Sequence, residues 1–229
     1  MTSTVPLPRR PFDSNAPLAG GRCAGPDARA RHWYENVLGW PTVPGRPLRL
    51  LTGVRFDVLD VPAEAGAQAL RHLAPGSPVA LRGERMELLV AAGGAEELPG
   101  LLDWLEWGAV RLDLRVRGAG DTLEAPRPPI GSAASRPGGP ASVRSGSVPR
   151  DSVQGAAVWL RPPEPGREVE ASLPAMPAVP AVSPVEREGS APDLVRLVDT
   201  VAAHCHRVRL RRACAGHLAD RRDQPLAFS

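Results

Sequence analysis

The chain has 229 residues, with 27 Pro and 23 Gly, and its 28 basic residues, all Arg, face 25 acidic ones. That length holds one domain of ordinary size plus extra segments, and the uneven spread of Pro and Gly predicts folded and unfolded stretches. Three cysteines (Cys23, Cys205, Cys214) are too few for a disulfide framework, the N-terminal arginines lead into no apolar leader, and no run of about 18 apolar residues exists, so the expectation is a cytoplasmic protein with no membrane segment.

Charge is not evenly spread. Residues 193–229 carry seven Arg and four Asp, and residues 127–155 carry four Arg and one Asp. The remaining segments hold 17 Arg against 20 acids, so the region expected to fold is slightly acidic. A strongly basic fold would announce nucleic-acid binding; here the basic excess is peripheral.

In chain order, residues 1–26 are Pro/Gly-rich and expected to be disordered. "PDARARHWYENVLGWPTVPG" predicts a helix that starts after Pro26 and stops at Gly39, with Trp33, Val37 and Trp40 sharing an apolar side. "LRLLTGVRFDVLDVP" predicts a hairpin or two short strands, the second over 54–61. A helix over 63–73 follows, then a 79–92 hairpin turning near Gly83. Leu98, Leu101, Leu102 and Leu105 make one stripe of a helix over 95–108, with Trp104 and Trp107 expected in the core. "AVRLDLRVRG" alternates, predicting a strand over 109–118 with Leu112 and Leu114 on one face.

The Gly/Ser/Pro/Arg stretch at about 127–155 lacks periodicity and is expected to be a flexible insertion. "GAAVWLRPP" predicts a strand that returns to the sheet, closing a domain over 27–163. A Pro-rich linker at 164–191 then precedes an amphipathic helix at 192–215, capped by Ser190, with a tail at 216–229. Leu194, Leu197, Val198, Val201, Cys205 and Val208 form its stripe, which predicts docking on the body or on a protein partner. The fold class is α/β in the α+β sense, a mixed sheet flanked by helices with a C-terminal helix.

Asp57 and Asp60 stand three apart on the predicted strand. Alternation puts Asp60 with Phe56 and Val58, and Asp57 with Leu59 and Val61, on opposite faces. Asp113 lies between Arg111 and Arg115, which suits a surface ion pair. Gly118 and Gly120 could form a phosphate-cradling turn or a plain one. In the last helix, His204 and His206 lie about 200° apart and cannot share an ion, and zinc spacings are absent.

"HWYENVLGWPTVPG", "FDVLDVPAEAG", "RMELLV" and "LDLRVRGAGDTLEAPRPP" follow one another in an order and spacing that resembles the bifunctional DNA primase/polymerase N-terminal (prim-pol) family, in its short actinobacterial form. The resemblance covers about residues 28–163. It implies a nucleotidyltransferase whose carboxylates hold Mg²⁺ or Mn²⁺ around a nucleoside triphosphate. On that implication Asp60 and Asp113 are the catalytic candidates, Asp57, Asp60 and Asp113 the metal candidates, and Gly118 and Gly120 the phosphate turn. The sequence departs from the pattern: its acidic pair is three apart, where two would share a face, and Met86 replaces the expected His. These departures predict a catalytically degenerate domain that binds nucleotide, nucleic acid or a protein partner without turnover and needs no metal. The alternatives are an active primase/polymerase, and a regulatory scaffold that contacts its partner through residues 192–215.

Overall fold

The computed structural model describes residues 25–129, 155–166, 169–176 and 193–222, with side chains as far as 215. The expected disordered start, most of the expected insertion and linker, and the end of the tail lie outside the described residues, as does Ser190, while residues 216–222 of the expected tail continue the last helix. The elements run α1 (Pro26–His32), β1 (Thr42–Val43), β2 (Arg49–Leu51), β3 (Asp57–Pro62), α2 (Ala63–Ala69), β4 (Val79–Arg82), β5 (Arg85–Val90), α3 (Gly94–Trp104), β6 (Arg115–Arg117), β7 (Thr122–Glu124), β8 (Val158–Arg161) and α4 (Leu194–Arg222). α1 continues into a wider π turn over Trp33–Val37. The α+β class and the C-terminal helix are as the sequence predicts.

Five strands form one antiparallel sheet in the order β6-β3-β5-β4-β8. From β3 to β6 the chain runs βαββαβ, and those four strands take the spatial order fourth-first-third-second. That is the split βαβ, ferredoxin-like arrangement, with its connecting helices on one face of the sheet. β1, β2 and β7 form a separate three-stranded sheet. β2 and β3 are therefore not a hairpin, because they pair in different sheets.

The hairpin between β4 and β5 turns on the two residues Gly83 and Glu84, and Gly83 has φ +58°. A two-residue loop of that hand favours glycine. It fixes Arg82 opposite Arg85, Ala80 opposite Glu87 and, one strand further, Glu87 opposite Asp60.

On the helical face, Leu59, Val61, Val79, Met86, Leu88 and Val90 pack against α2, α3 and α4. α4 contributes the predicted stripe of Leu194, Leu197, Val198, Val201, Cys205 and Val208, all buried. Each such leucine contributes about 1.5–3 kcal/mol by leaving water. The stripe is spent on the protein's own core, so the exposed part of α4 is its arginine-bearing side. Asp193, immediately before α4, accepts from Val195 N at 2.9 Å and supplies the cap.

The opposite face of the sheet is covered only in part. Val58 and Leu89 meet Trp33, Tyr34, Trp40, Phe56 and the small sheet in a second core. Leu173, expected in a linker, is buried there too. Beyond that cover, toward the ends of β3 and β5 marked by Asp60 and Glu87, the face is ionic.

Two expectations need correction. The strand foreseen over 109–118 forms only at Arg115–Arg117, because β3 offers partners only to those three residues, while Leu112 and Leu114 both pack on the helical core. Trp104 is not in the core: it is the last residue of α3 and is 73% exposed. Trp107 is half-buried, its Nε1 donating to Asp199 at 3.1 Å.

Candidate functional site

Asp57 and Asp60 do face opposite ways. Asp57 points to the helical side and caps α3: its Oδ2 accepts from Gly93 N and Ala95 N, each at 2.9 Å. A carboxylate there satisfies orphan helix donors and meets the positive end of the helix dipole. Its role is local and structural.

Asp60 lies on the other face and is fully buried. Three arginines reach it. Arg85 Nε donates to Oδ1, while Arg82 Nη2 and Arg117 Nη2 donate to Oδ2 at 3.4 and 3.2 Å. Arg85 also donates to the Asp60 carbonyl and to Asp113 Oδ1, both at 2.7 Å. Arg82 Nε donates to Glu87 Oε1 at 3.1 Å, and Arg117 Nη1 donates to the Thr122 carbonyl at 3.1 Å. Asp113 closes the network, its Oδ2 lying 3.7 Å from Arg212 of α4.

Three guanidiniums on the sheet thus face the carboxylates of Asp60, Glu87 and Asp113. Glu87 is fully buried, and its Oε2 has no hydrogen-bond partner among the described residues. Burial pushes its pKa up, opposed by the charge and hydrogen bond of Arg82. The network is a two-stranded platform of acids roofed by arginines that stay partly exposed, Arg82 at 31% and Arg117 at 28% of their side chains.

These residues do not fit a divalent metal. A metal needs oxygen lone pairs from two or more carboxylates directed to one point. Arg82 instead bridges Asp60 and Glu87, and Arg85 bridges Asp60 and Asp113, so guanidiniums stand where a shared cation would. Asp57 is on the far side of the sheet. Among the described residues no group of three His, Cys, Asp or Glu is arranged to hold a metal.

Met86, where the prim-pol resemblance expects a histidine, faces the helices, while its chain neighbour Glu87 faces the ionic side. Its thioether packs on Gly66, where a Cβ would come within 2.6 Å of Sδ. A side chain at position 86 belongs to the helical core and does not meet Asp60.

Gly118 and Gly120 lie in the turn between β6 and β7, and Gly120 has φ +83°. The Gly118 N–H donates to the Asp121 carboxylate at 3.3 Å, and its carbonyl accepts from Thr52 Oγ1 at 2.6 Å. A Cβ on Gly53 would come within 2.2 Å of Ala119 Cα, so the turn sits tightly on the chain beneath it. One N–H of the turn is thus directed to the chain's own carboxylate.

Of the sequence candidates, the structure brings Asp60 and Asp113 together through Arg85, and keeps Asp57, Gly118 and Gly120 out of that group. The residues the sequence reading missed are Arg82, Arg85, Glu87 and Arg117. Pairing "LRGERMELL" about Gly83 and marking every second residue would have placed the first three on one face.

Cys205, on the buried stripe of α4, has its thiol pushed up to about 12 by burial, with the charge of Asp113 adding. No helix among the described residues is long and apolar enough to cross a membrane. No family model, curated protein or solved structure matches the chain.

Proposed function

We propose that the protein is a prim-pol-like domain that has exchanged metal-dependent nucleotidyl transfer for binding. The observation that carries this reading is the pair of arginine bridges, Arg82 between Asp60 and Glu87 and Arg85 between Asp60 and Asp113. Phosphoryl transfer relies on positioning and charge neutralisation of the phosphates. Here the acids that would hold cations are neutralised by fixed side-chain charges. The partly exposed guanidiniums of Arg82 and Arg117 are the groups on this face that a nucleotide phosphate would meet, in the bidentate fashion that suits arginine. The order of sequence landmarks and the acid-bearing face of a split βαβ sheet support the family side of the reading.

A second reading, an active primase/polymerase, is favoured by one feature. Asp60 and Glu87 are direct neighbours on the two central strands, on the face opposite the helices. For that reading Asp60, Glu87 and Asp113 would have to shed their arginines.

Primer extension with Mg²⁺ and with Mn²⁺, beside a nucleoside triphosphate binding titration, separates the two. The expected result is no extension, with triphosphate binding that is indifferent to divalent metal and weakened by Arg82→Ala, Arg117→Ala. Metal-dependent extension by the wild type that disappears in Asp60→Ala, Asp113→Ala would overturn the proposal.

A further inference from the structure

Between α2 and α4, away from the ionic face of the sheet, runs an open groove of about 580 Å³. Its walls carry Glu64 and Gln68 from α2 and His204, Arg207, Leu210 and Arg211 from α4. The apolar stripe of α4 is already buried against the core, so this is the helix's second, outward side.

The chemistry of the groove is uneven in an informative way. His204, Arg207 and Arg211 recur at helical spacing, and the two arginines make the stripe cationic. His204 feels that field: its pKa is lowered first by desolvation and then by Arg207, Arg71 and Arg211, with Glu64 opposing. Glu64 is the single acid in the groove wall. Its pairing with Arg211 joins side chains that are 58% and 64% exposed, so the pair contributes little and is readily exchanged for another. Within this basic wall stands Leu210, 51% exposed.

We propose that this groove binds an acidic amphipathic helical segment of a protein partner, which seats an apolar side chain on Leu210 and carboxylates on Arg207 and Arg211. Charge complementarity selects an anionic partner. The leucine selects a polypeptide over a nucleic acid, because a phosphate backbone gains nothing from an aliphatic side chain. A groove between two helices, with an apolar anchor and a charged rim, suits the helix-in-groove mode of recognition. The inference concerns a surface separate from the sheet face and holds whichever reading of that face is correct.

The test uses the full chain and two fluorescent probes at moderate salt: a short helical peptide built from Leu, Glu and Ala, and a single-stranded oligodeoxynucleotide. The peptide is expected to bind, with affinity reduced at least about tenfold by Leu210→Gln and again by Arg207→Glu, Arg211→Glu, since hot-spot contacts carry most of the energy. Leu210→Gln leaves the net charge unchanged and sits on an exposed helix surface, so circular dichroism should be unaltered. The oligonucleotide is expected to bind more weakly than the peptide and to ignore Leu210→Gln. The proposal is overturned if the peptide fails to bind, if its binding ignores Leu210→Gln, or if the oligonucleotide binds as tightly as the peptide. Failure here would leave triphosphate binding at Arg82 and Arg117 untouched, so the two proposals fail separately.

Discussion

On the helical face of the central sheet, Leu59, Val61, Leu88 and Val90 disappear under α2, α3 and α4, and the one acid there, Asp57, has a helix N-terminus for its partner. On the opposite face of the same two strands, Asp60 and Glu87 disappear under arginines. Both faces exclude water from β3, all of whose residues are buried. The helical face does so with non-directional contacts, each replaceable at the cost of its own area. The ionic face depends on complementary charge, so each member there is worth little alone and much to its partners. A strand can carry an acid on each face and stay fully buried in this way, provided each acid finds a partner of its own: a helix N-terminus for Asp57 and guanidiniums for Asp60.

The largest effect should come from Asp60→Ala. It leaves three partly buried guanidiniums without their common anion, and breaking such a group costs about 3–5 kcal/mol. Urea unfolding followed by tryptophan fluorescence measures it. A loss no greater than that of an exposed ion pair would mean that the two faces do not differ as described. Leu197→Ala, a fully buried position of α4, probes the other regime. The transfer and cavity terms for such a deletion come to about 3 kcal/mol, near the middle of the observed span. The Asp60 change should exceed it even though Asp60 is the smaller side chain. Asp57→Ala should cost less than either, about 1–2 kcal/mol for a lost helix cap, with hydrogen exchange rising first at the start of α3. Equal losses at Asp57 and Asp60 would break the contrast between the two aspartates.

What the sequence revealed follows the range over which each interaction acts. Helical spacing alone showed the α4 stripe, because Leu194 to Val208 lie on one element. A period of two was enough to send Asp57 and Asp60 to opposite faces. The partners of Asp60 come from 22, 25 and 57 residues away along the chain. They depend on the register of three strands, which no local pattern states. The short β7 and the truncated β6 were hidden for a related reason. "AVRLDL" alternates well enough for a strand, but a strand needs an edge to pair with, and β3 pairs β6 only from Val58 to Asp60. The arginines themselves were in plain view, yet a chain whose every basic residue is Arg gives no hint which ones hold a buried acid.

The smallest prediction concerns Glu87, where desolvation and counter-charge pull in opposite directions. Burial raises the folded-state pKa above the ordinary value of 4.5, so the folded protein holds this proton more firmly than the unfolded chain does. A raised carboxyl contributes stability fully at pH below the unfolded value and loses it as pH climbs through the folded value. Glu87→Gln keeps the shape and removes the titration. The stability of the wild type relative to Glu87→Gln should therefore be greatest near pH 4 and should decline as pH rises above about 4.5. Urea unfolding of both proteins at a series of pH values reads this difference directly. A wild type that gains on the variant with rising pH would show that Arg82 and Arg117 outweigh desolvation. The ionic face would then be a net stabiliser in its charged form, and the contrast with the helical face would narrow to one of chemistry alone.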